Sequence, residues 1–159
     1  MQRHKAQPGL EGKRVLEIGC GIALSSLVLH KMGIDVTASD YHPLANEFLD
    51  ENVLGNDMLP IKFQGGNWEA ENPLLGEFDL IIGSDLLYER EHVELLSGFI
   101  DQHAKANCAV IIVDPGRGHH AQFSKNMVRR GYSHSQGKPE NIGYLDHPFH
   151  GQILRYQRM

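Results

Sequence analysis

The chain has 159 residues, 41% of them hydrophobic and 22% charged, and a formal net charge of −5. These proportions fit one globular domain over 1–159 with a sizeable core, and the acidic balance disfavours a dedicated nucleic-acid binder, which carries a basic face. No apolar run approaches the roughly 20 residues that span a bilayer. MQRHKAQPG at the start has no apolar signal segment, and two cysteines, Cys20 and Cys108, set up no disulfide framework, so the cytoplasm is the expected compartment, with no membrane partner.

Residues 1–12 are polar, contain Pro8, Gly9 and Gly12, and read as a lead-in. Arg14 to Ile18 is a short apolar strand. Leu24, Leu27, Val28 and Met32 then recur at helical spacing, which predicts a helix over Ala23 to Met32 with Gly33 as its C′ residue. Ile34 to Ser39 is a second strand ending on Asp40. A helix follows from about Pro43 to Leu54, with the proline in its first turn and Gly55 as its stop. Ile61 to Gln64 is a third strand, closed by Gly-Gly-Asn-Trp.

Phe78 to Gly83 is nearly all apolar, as a strand buried on both faces should be. Val93, Leu96, Phe99 and Ile100 mark the next helix. Ala109 to Val113 is a fifth strand, broken by Asp114-Pro115-Gly116. His120 to Arg130 reads as a helix closed by Gly131. After Tyr132 the chain is turn-rich, and a last strand covers about Gln152 to Gln157. The alternation of strand and helix, with connections too long for hairpins, predicts an α/β fold: a doubly wound, mostly parallel sheet with helices on both faces.

In such a sheet a ligand sits beyond the carboxyl ends of the strands, at the switch point. The first strand runs into Glu17-Ile18-Gly19-Cys20-Gly21-Ile22-Ala23 at that end. The dinucleotide pattern Gly-x-Gly-x-x-Gly needs a third glycine where Leu24 stands, which tilts the loop away from a pyrophosphate. The other pattern, Glu/Asp-x-Gly-x-Gly, suits a ligand with a cation and no phosphate, because Glu17 can offset a positive charge. S-adenosylmethionine has that character, with a sulfonium, an amino-acid tail, a ribose and an adenine.

Asp40 ends the second strand about 20 residues past the glycines, where a carboxylate accepts from both ribose hydroxyls. That acid specifies a nucleoside without choosing the cofactor, and a turn acid before Pro43 is its plainer role. Asn67 can bond adenine N6 and Trp68 can pack on an adjacent face, unless the indole simply plugs the sheet edge.

The run VLEIGCGIALSSLVLHKMGIDVTASDYHPLA resembles class I, seven-β-strand S-adenosylmethionine-dependent methyltransferases from their first motif through the second strand. Gly83-Ser84-Asp85-Leu86-Leu87-Tyr88-Glu89 is similar to the Asp-x-x-Tyr motif after strand four, found in the subgroup with many protein lysine methyltransferases. The likeness runs from about Leu10 to the C-terminal ILRYQR. It implies a Rossmann-like sheet of seven strands, six parallel and the last antiparallel. It implies that Glu17, Gly19, Cys20 and Gly21 line the methionine end of the cofactor. It further implies that Asp40 binds the ribose with Tyr41 beside the adenine, that Asn67 and Trp68 lie at the adenine edge, and that Ser84 and Asp85 close the site below the methyl group. Tyr88 would shape the acceptor channel. Ala23 stands where many members have a third small glycine. The subgroup also usually carries an N-terminal extension over the cofactor, and only about a dozen residues precede the first strand here, so a truncated form or an open site is expected.

Methyl transfer requires alignment and exclusion of water rather than a nucleophilic side chain. Asp85 can hold an amine acceptor and Tyr88 can offer its ring face to a cation. Their plainer roles are a helix cap and an interior aromatic. No Asn-Pro-Pro-Tyr follows strand four, which counts against base nitrogens as acceptors. Asp114-Pro115-Gly116-Arg117 borders the acceptor entrance or is only a turn. His119, His120, His147 and His150 lack accompanying ligands at metal spacing and read as surface residues. The expected function is methylation of a protein side chain, lysine favoured, with a small-molecule acceptor left open. The rivals are an NAD(P)-binding oxidoreductase and a non-catalytic cofactor-binding module. The sequence leaves the oligomeric state open.

Overall fold

A computed structural model describes residues 9–159. Most of the lead-in expected over 1–12 lies outside the described residues. Seven strands form one sheet: β1 (Arg14–Ile18), β2 (Asp35–Asp40), β3 (Lys62–Gly65), β4 (Phe78–Ser84), β5 (Ala104–Asp114), β6 (Tyr132–Gly137) and β7 (Gln152–Arg158). Four helices connect them: α1 (Leu24–Lys31), α2 (Ala45–Gly55), α3 (Arg90–His103) and α4 (His120–Arg129). The strand order is β3-β2-β1-β4-β5-β7-β6. Strands β1 to β5 pair in parallel, and β7 lies antiparallel between β5 and β6. The chain steps outward from β1 on one side and restarts at β4 on the other, so the switch point falls between β1 and β4.

Side-chain alternation along β1 divides the core into two layers. Leu16 and Ile18 join Phe78, Ile81 and Ile112 of the sheet against Leu96 and Ile100 of α3 and Phe123 and Met127 of α4. Val15, on the other face, packs with Val36 and Ala38 of β2 against Leu49 and Val53 of α2. Leu16, Leu96 and Ile112 are fully buried, and each contributes about 1.5–3 kcal/mol by leaving water.

The expected strand and helix sequence is present, with four informative differences. The segment after Tyr132, expected as turns, opens with β6. Its residues Ser133 to Gln136 are exposed and include no β-branched side chain, so pairing with β7 rather than intrinsic preference makes it a strand. β5 begins at Ala104, before the apolar run at Ala109, because Ala104 pairs with Phe78 across an irregularity in register. Helix α2 starts at Ala45, so Pro43 precedes its first turn, and α1 starts at Leu24 because Ala23 adopts a left-handed conformation, φ 57°. Gly33 has a positive φ and its N–H donates to the His30 carbonyl, as expected of a C′ glycine. No helix among the described residues is long and apolar enough to cross a membrane.

Candidate functional site

The carboxyl ends of β1, β2, β3 and β4 open onto a cavity of 720 Å³. Register brings the ends together: Ile18 lies opposite Ser39 on one side and Gly83 on the other, and Asp40 lies opposite Gly65. Gly19, Gly21, Asp40, Tyr41, Asn67, Trp68, Ser84, Asp85 and Tyr88 all line the cavity. Of the expected site residues, Glu17 and Cys20 stand behind the glycine turn rather than in the wall.

The turn itself is held by backbone bonds. The Cys20 N–H donates to the Ser39 carbonyl at 2.9 Å, and the Ala23 N–H to the Cys20 carbonyl at 2.7 Å. Gly19 and Gly21 have φ of 61° and 53°, a region that side chains with a Cβ enter at a cost. The two glycines serve different ends. A Cβ on Gly19 would run into Leu86, and one on Gly83 would meet the same side chain. Leu86 therefore wedges between the ends of β1 and β4. A Cβ on Gly21 would meet nothing within 4 Å, so that position leaves free space at the mouth.

Asp40 ties the turn to β2. Its Oδ2 accepts from the Gly21 N–H at 2.9 Å and its Oδ1 from the His42 N–H at 2.8 Å. It thus serves as a turn acid and also faces the glycines. Glu17, which pairs with Ala38 and so shares the face of Asp40, points under the start of α1 instead of into the cavity. Its Oε2 accepts from the Ser26 N–H at 3.0 Å, and the Ser26 hydroxyl donates to the same oxygen. The carboxylate so satisfies an open N–H in the first turn of α1. Burial raises the Glu17 pKa above its ordinary value, the Ser26 bonds pull it down, and Asp40 adds a smaller upward push. Burial, reinforced by Asp40 and Glu17, pushes the Cys20 thiol up to about 12, so it stays protonated and is no nucleophile at neutral pH.

On the far wall, Asn67 Oδ1 accepts from the N–H groups of Glu69 and Ala70, both at 3.1 Å. Trp68 packs partly on the α3 layer and meets the His92 ring edge-on, centroids 5.4 Å apart. It lines the cavity rather than plugging the sheet edge. His92 Nδ1 accepts from the Glu89 N–H at 3.3 Å at the start of α3. Glu89, not Asp85, is the N-cap residue of that helix.

Asp85 has φ 54°, an uncommon state for a non-glycine residue that asparagine and aspartate tolerate best. Its N–H donates to the Val113 carbonyl at 2.8 Å. Its carboxylate takes a two-pronged bond from Arg117, with Nη2 2.8 Å from Oδ2 and Nε bonded to Oδ1. That bond holds the Arg117 proton still more firmly than usual. The Arg117 guanidinium carbon also lies 4.5 Å from the Tyr88 ring centroid. Tyr88 is 53% exposed, which removes the interior-aromatic alternative, and its ring is edge-on to His92 at 6.2 Å. Asp85, Arg117, Tyr88, His92 and Trp68 thus form a continuous series across the mouth. The Asp-Pro-Gly-Arg turn was legible as a possible border of the entrance. Nothing in the sequence marked His92, whose place follows from the helix start.

A glycine turn and a carboxylate facing each other at the switch point of a doubly wound sheet define a nucleoside-binding α/β protein. The lysine methyltransferase family model matches residues 1–129, and the chain belongs to that family. It is 36% identical over 103 residues to the Histidine protein methyltransferase 1 homolog of Dictyostelium discoideum, covering 62% of this chain and 33% of that protein. It is 36% identical over 115 residues to mouse (Mus musculus) Protein N-lysine methyltransferase METTL21A, covering 65% of this chain and 50% of that protein. The chain therefore spans half, or less, of the length of these relatives. Magnesium protoporphyrin IX methyltransferase from Synechocystis, solved with bound SAM, superimposes with a TM-score of 0.75 at 21% identity, covering 95% of this chain and 72% of that one. A methyltransferase from Pyrococcus furiosus gives 0.73 at 20% identity, covering 92% and 75%. At such identities the likeness is one of fold. These matches fit the methyltransferase expectation rather than the oxidoreductase one.

Proposed function

We propose that this chain binds S-adenosylmethionine in the cavity at the β1–β4 switch point and methylates a protein side chain, lysine favoured. The observation that carries this is the meeting, in one cavity, of the glycine turn with Asp40 on one side and Asp85 with Tyr88 on the other. S-adenosylmethionine, when bound, supplies a methyl group on a sulfonium, already activated for transfer.

The chain's own residues have to bind, orient and exclude water. Gly21 leaves room for the ligand to approach the backbone. Asp40, with both oxygens on the loop N–H groups, would take the ribose hydroxyls. Asn67 has its carbonyl oxygen engaged, so its remaining group is the Nδ2 donor. That donor matches a ring-nitrogen acceptor of adenine such as N1, rather than the N6 amine expected from the sequence. Trp68 would cover a purine face. Glu17 contributes at longer range, through the start of α1. Ser84, Asp85 and Tyr88 would bound the acceptor side. The names of the relatives, acting on lysine and histidine of proteins, support a protein acceptor, and a small-molecule acceptor is the second possibility. In this reading residues 1–159 form one cofactor-binding unit that acts in the cytoplasm.

Trp68 is the single tryptophan of the chain, so its fluorescence reports on the cavity alone. S-adenosylhomocysteine is expected to change that emission and to give a calorimetric binding isotherm, while NAD(H) does neither. Asp40→Asn should weaken binding about 10- to 100-fold, the value of one charge-assisted hydrogen bond to ribose. Transfer of radiolabelled methyl to lysates, lost in Asp85→Asn, tests the activity. Binding of NAD(H) in place of S-adenosylhomocysteine, or labelling indifferent to Asp85, would refute it.

A further inference from the structure

We propose that Arg117 sits in the seat that receives the acceptor's side chain, so that an acceptor must dock as a cation able to displace it and then release a proton to solvent before its nitrogen takes the methyl group. This inference rests on the methyltransferase function proposed above and names its acceptor class. A carboxylate beside an aromatic face is the standard receptor for an ammonium or guanidinium group. Asp85 and Tyr88 make that receptor at the acceptor side of the cavity, and the group filling it is the chain's own guanidinium. Arg117 occupies both parts at once, with its fork on the carboxylate and its plane above the ring.

Arg117 is placed to leave. Glycines flank it, Gly116 at φ 101° and Gly118 at φ 88°, and a Cβ on Gly118 would meet nothing within 4 Å. The pair is part exposed, 43% for the arginine side chain and 33% for the aspartate, and ion pairs in water contact are individually weak. Asp85 is less free to follow. Its left-handed backbone is held by the bond to Val113 in β5, so its Cα–Cβ bond keeps its direction toward the cavity when the guanidinium departs. An incoming lysine or arginine side chain would find the receptor preformed and a tethered competitor to exchange with. A hydroxyl, carboxylate or apolar acceptor offers nothing in exchange for the lost ion pair. Arg117 is therefore a specificity residue that screens acceptors by charge.

The test uses the full chain saturated with S-adenosylhomocysteine, with methylguanidinium and n-butylammonium as probes and the Tyr88 ring resonances as the readout. In Arg117→Ala the probes should shift Tyr88 with an apparent Kd about two- to fivefold below that of wild type, the factor by which a tethered, part-exposed ion pair competes for the seat. The effect should vanish in Arg117→Ala/Asp85→Asn, which keeps a residue that tolerates the left-handed backbone. Arg117→Ser is an independent check on the single substitution. Equal probe affinity in wild type and both Arg117 variants, or binding indifferent to Asp85→Asn, overturns the inference. Calorimetry with S-adenosylhomocysteine on each variant separates the two levels. Retained cofactor binding with failed probe binding removes only the Arg117 role, whereas no cofactor binding by wild type removes the underlying function and this inference with it.

Discussion

Glu17 and Asp40 lie close in space and do different work. Asp40 faces the cavity with both oxygens on loop N–H groups, whereas Glu17, on the same face of the sheet, is buried under α1 and bonded to Ser26. The Glu17 pKa is raised in the folded chain, chiefly by burial. A carboxyl group that holds its proton more tightly when folded weakens the fold as pH rises. The loss begins at the ordinary glutamate value, about 4.3, and is complete once pH passes the raised value. Glu17→Gln removes that charge while its amide oxygen still accepts from the Ser26 N–H. The variant is expected to be at least as stable as wild type at pH 7 and to lose less stability between pH 4 and 7, by denaturant titration at a series of pH values. A glutamine variant that is less stable at pH 7 would mean that the Glu17–Ser26 bonds outweigh the burial of the charge.

At the scale of elements, the β1–α1 turn separates fold from binding. Gly19→Ala combines a left-handed φ with a collision against Leu86, which is itself pinned against Gly83. Gly21→Ala carries the conformational cost, about 1–2 kcal/mol, without a collision. Gly19→Ala should therefore lower the melting temperature more than Gly21→Ala. Gly21→Ala should instead reduce S-adenosylhomocysteine affinity out of proportion to its stability loss, because its methyl group enters the mouth of the cavity. Similar binding losses at equal stability in both variants would contradict this. The same turn explains what the sequence could disclose. Residue type and spacing mark Gly19, Gly21 and Asp40, since local backbone demands select glycine and a strand end selects the acid. The Arg117–Asp85 pair joins residues 32 positions apart through two loops, so no local pattern announces it. β6 was invisible for the same reason, because its strand character comes from β7.

At the scale of the molecule, the two cysteines sample the sheet and the site separately. Cys108 is fully buried in β5, and burial pushes its thiol to about 12, as it does that of Cys20 in the glycine turn. At pH 8 each is about one part in ten thousand thiolate, so modification requires opening rather than simple reaction. Exposure of Cys108 requires loss of its neighbours β4 and β7 and of the α3 layer, which amounts to global unfolding. The turn holding Cys20 can open with the bonds to Ser39, Asp40 and Asn52 broken. Local opening costs less than global unfolding, so Cys20 should be alkylated faster than Cys108 in the free chain. A ligand bound across the turn stabilises the closed form by about 2.7 kcal/mol at a hundred times its Kd. Under S-adenosylhomocysteine at that level, alkylation of Cys20 should slow about a hundredfold, followed site by site by mass spectrometry. Cys108, governed by unfolding that also releases the ligand, should slow by a comparable factor while remaining the slower of the two. NAD(H) at the same concentration should leave both rates unchanged. If S-adenosylhomocysteine protects neither cysteine, the glycine turn does not hold the cofactor, however well the fold presents it.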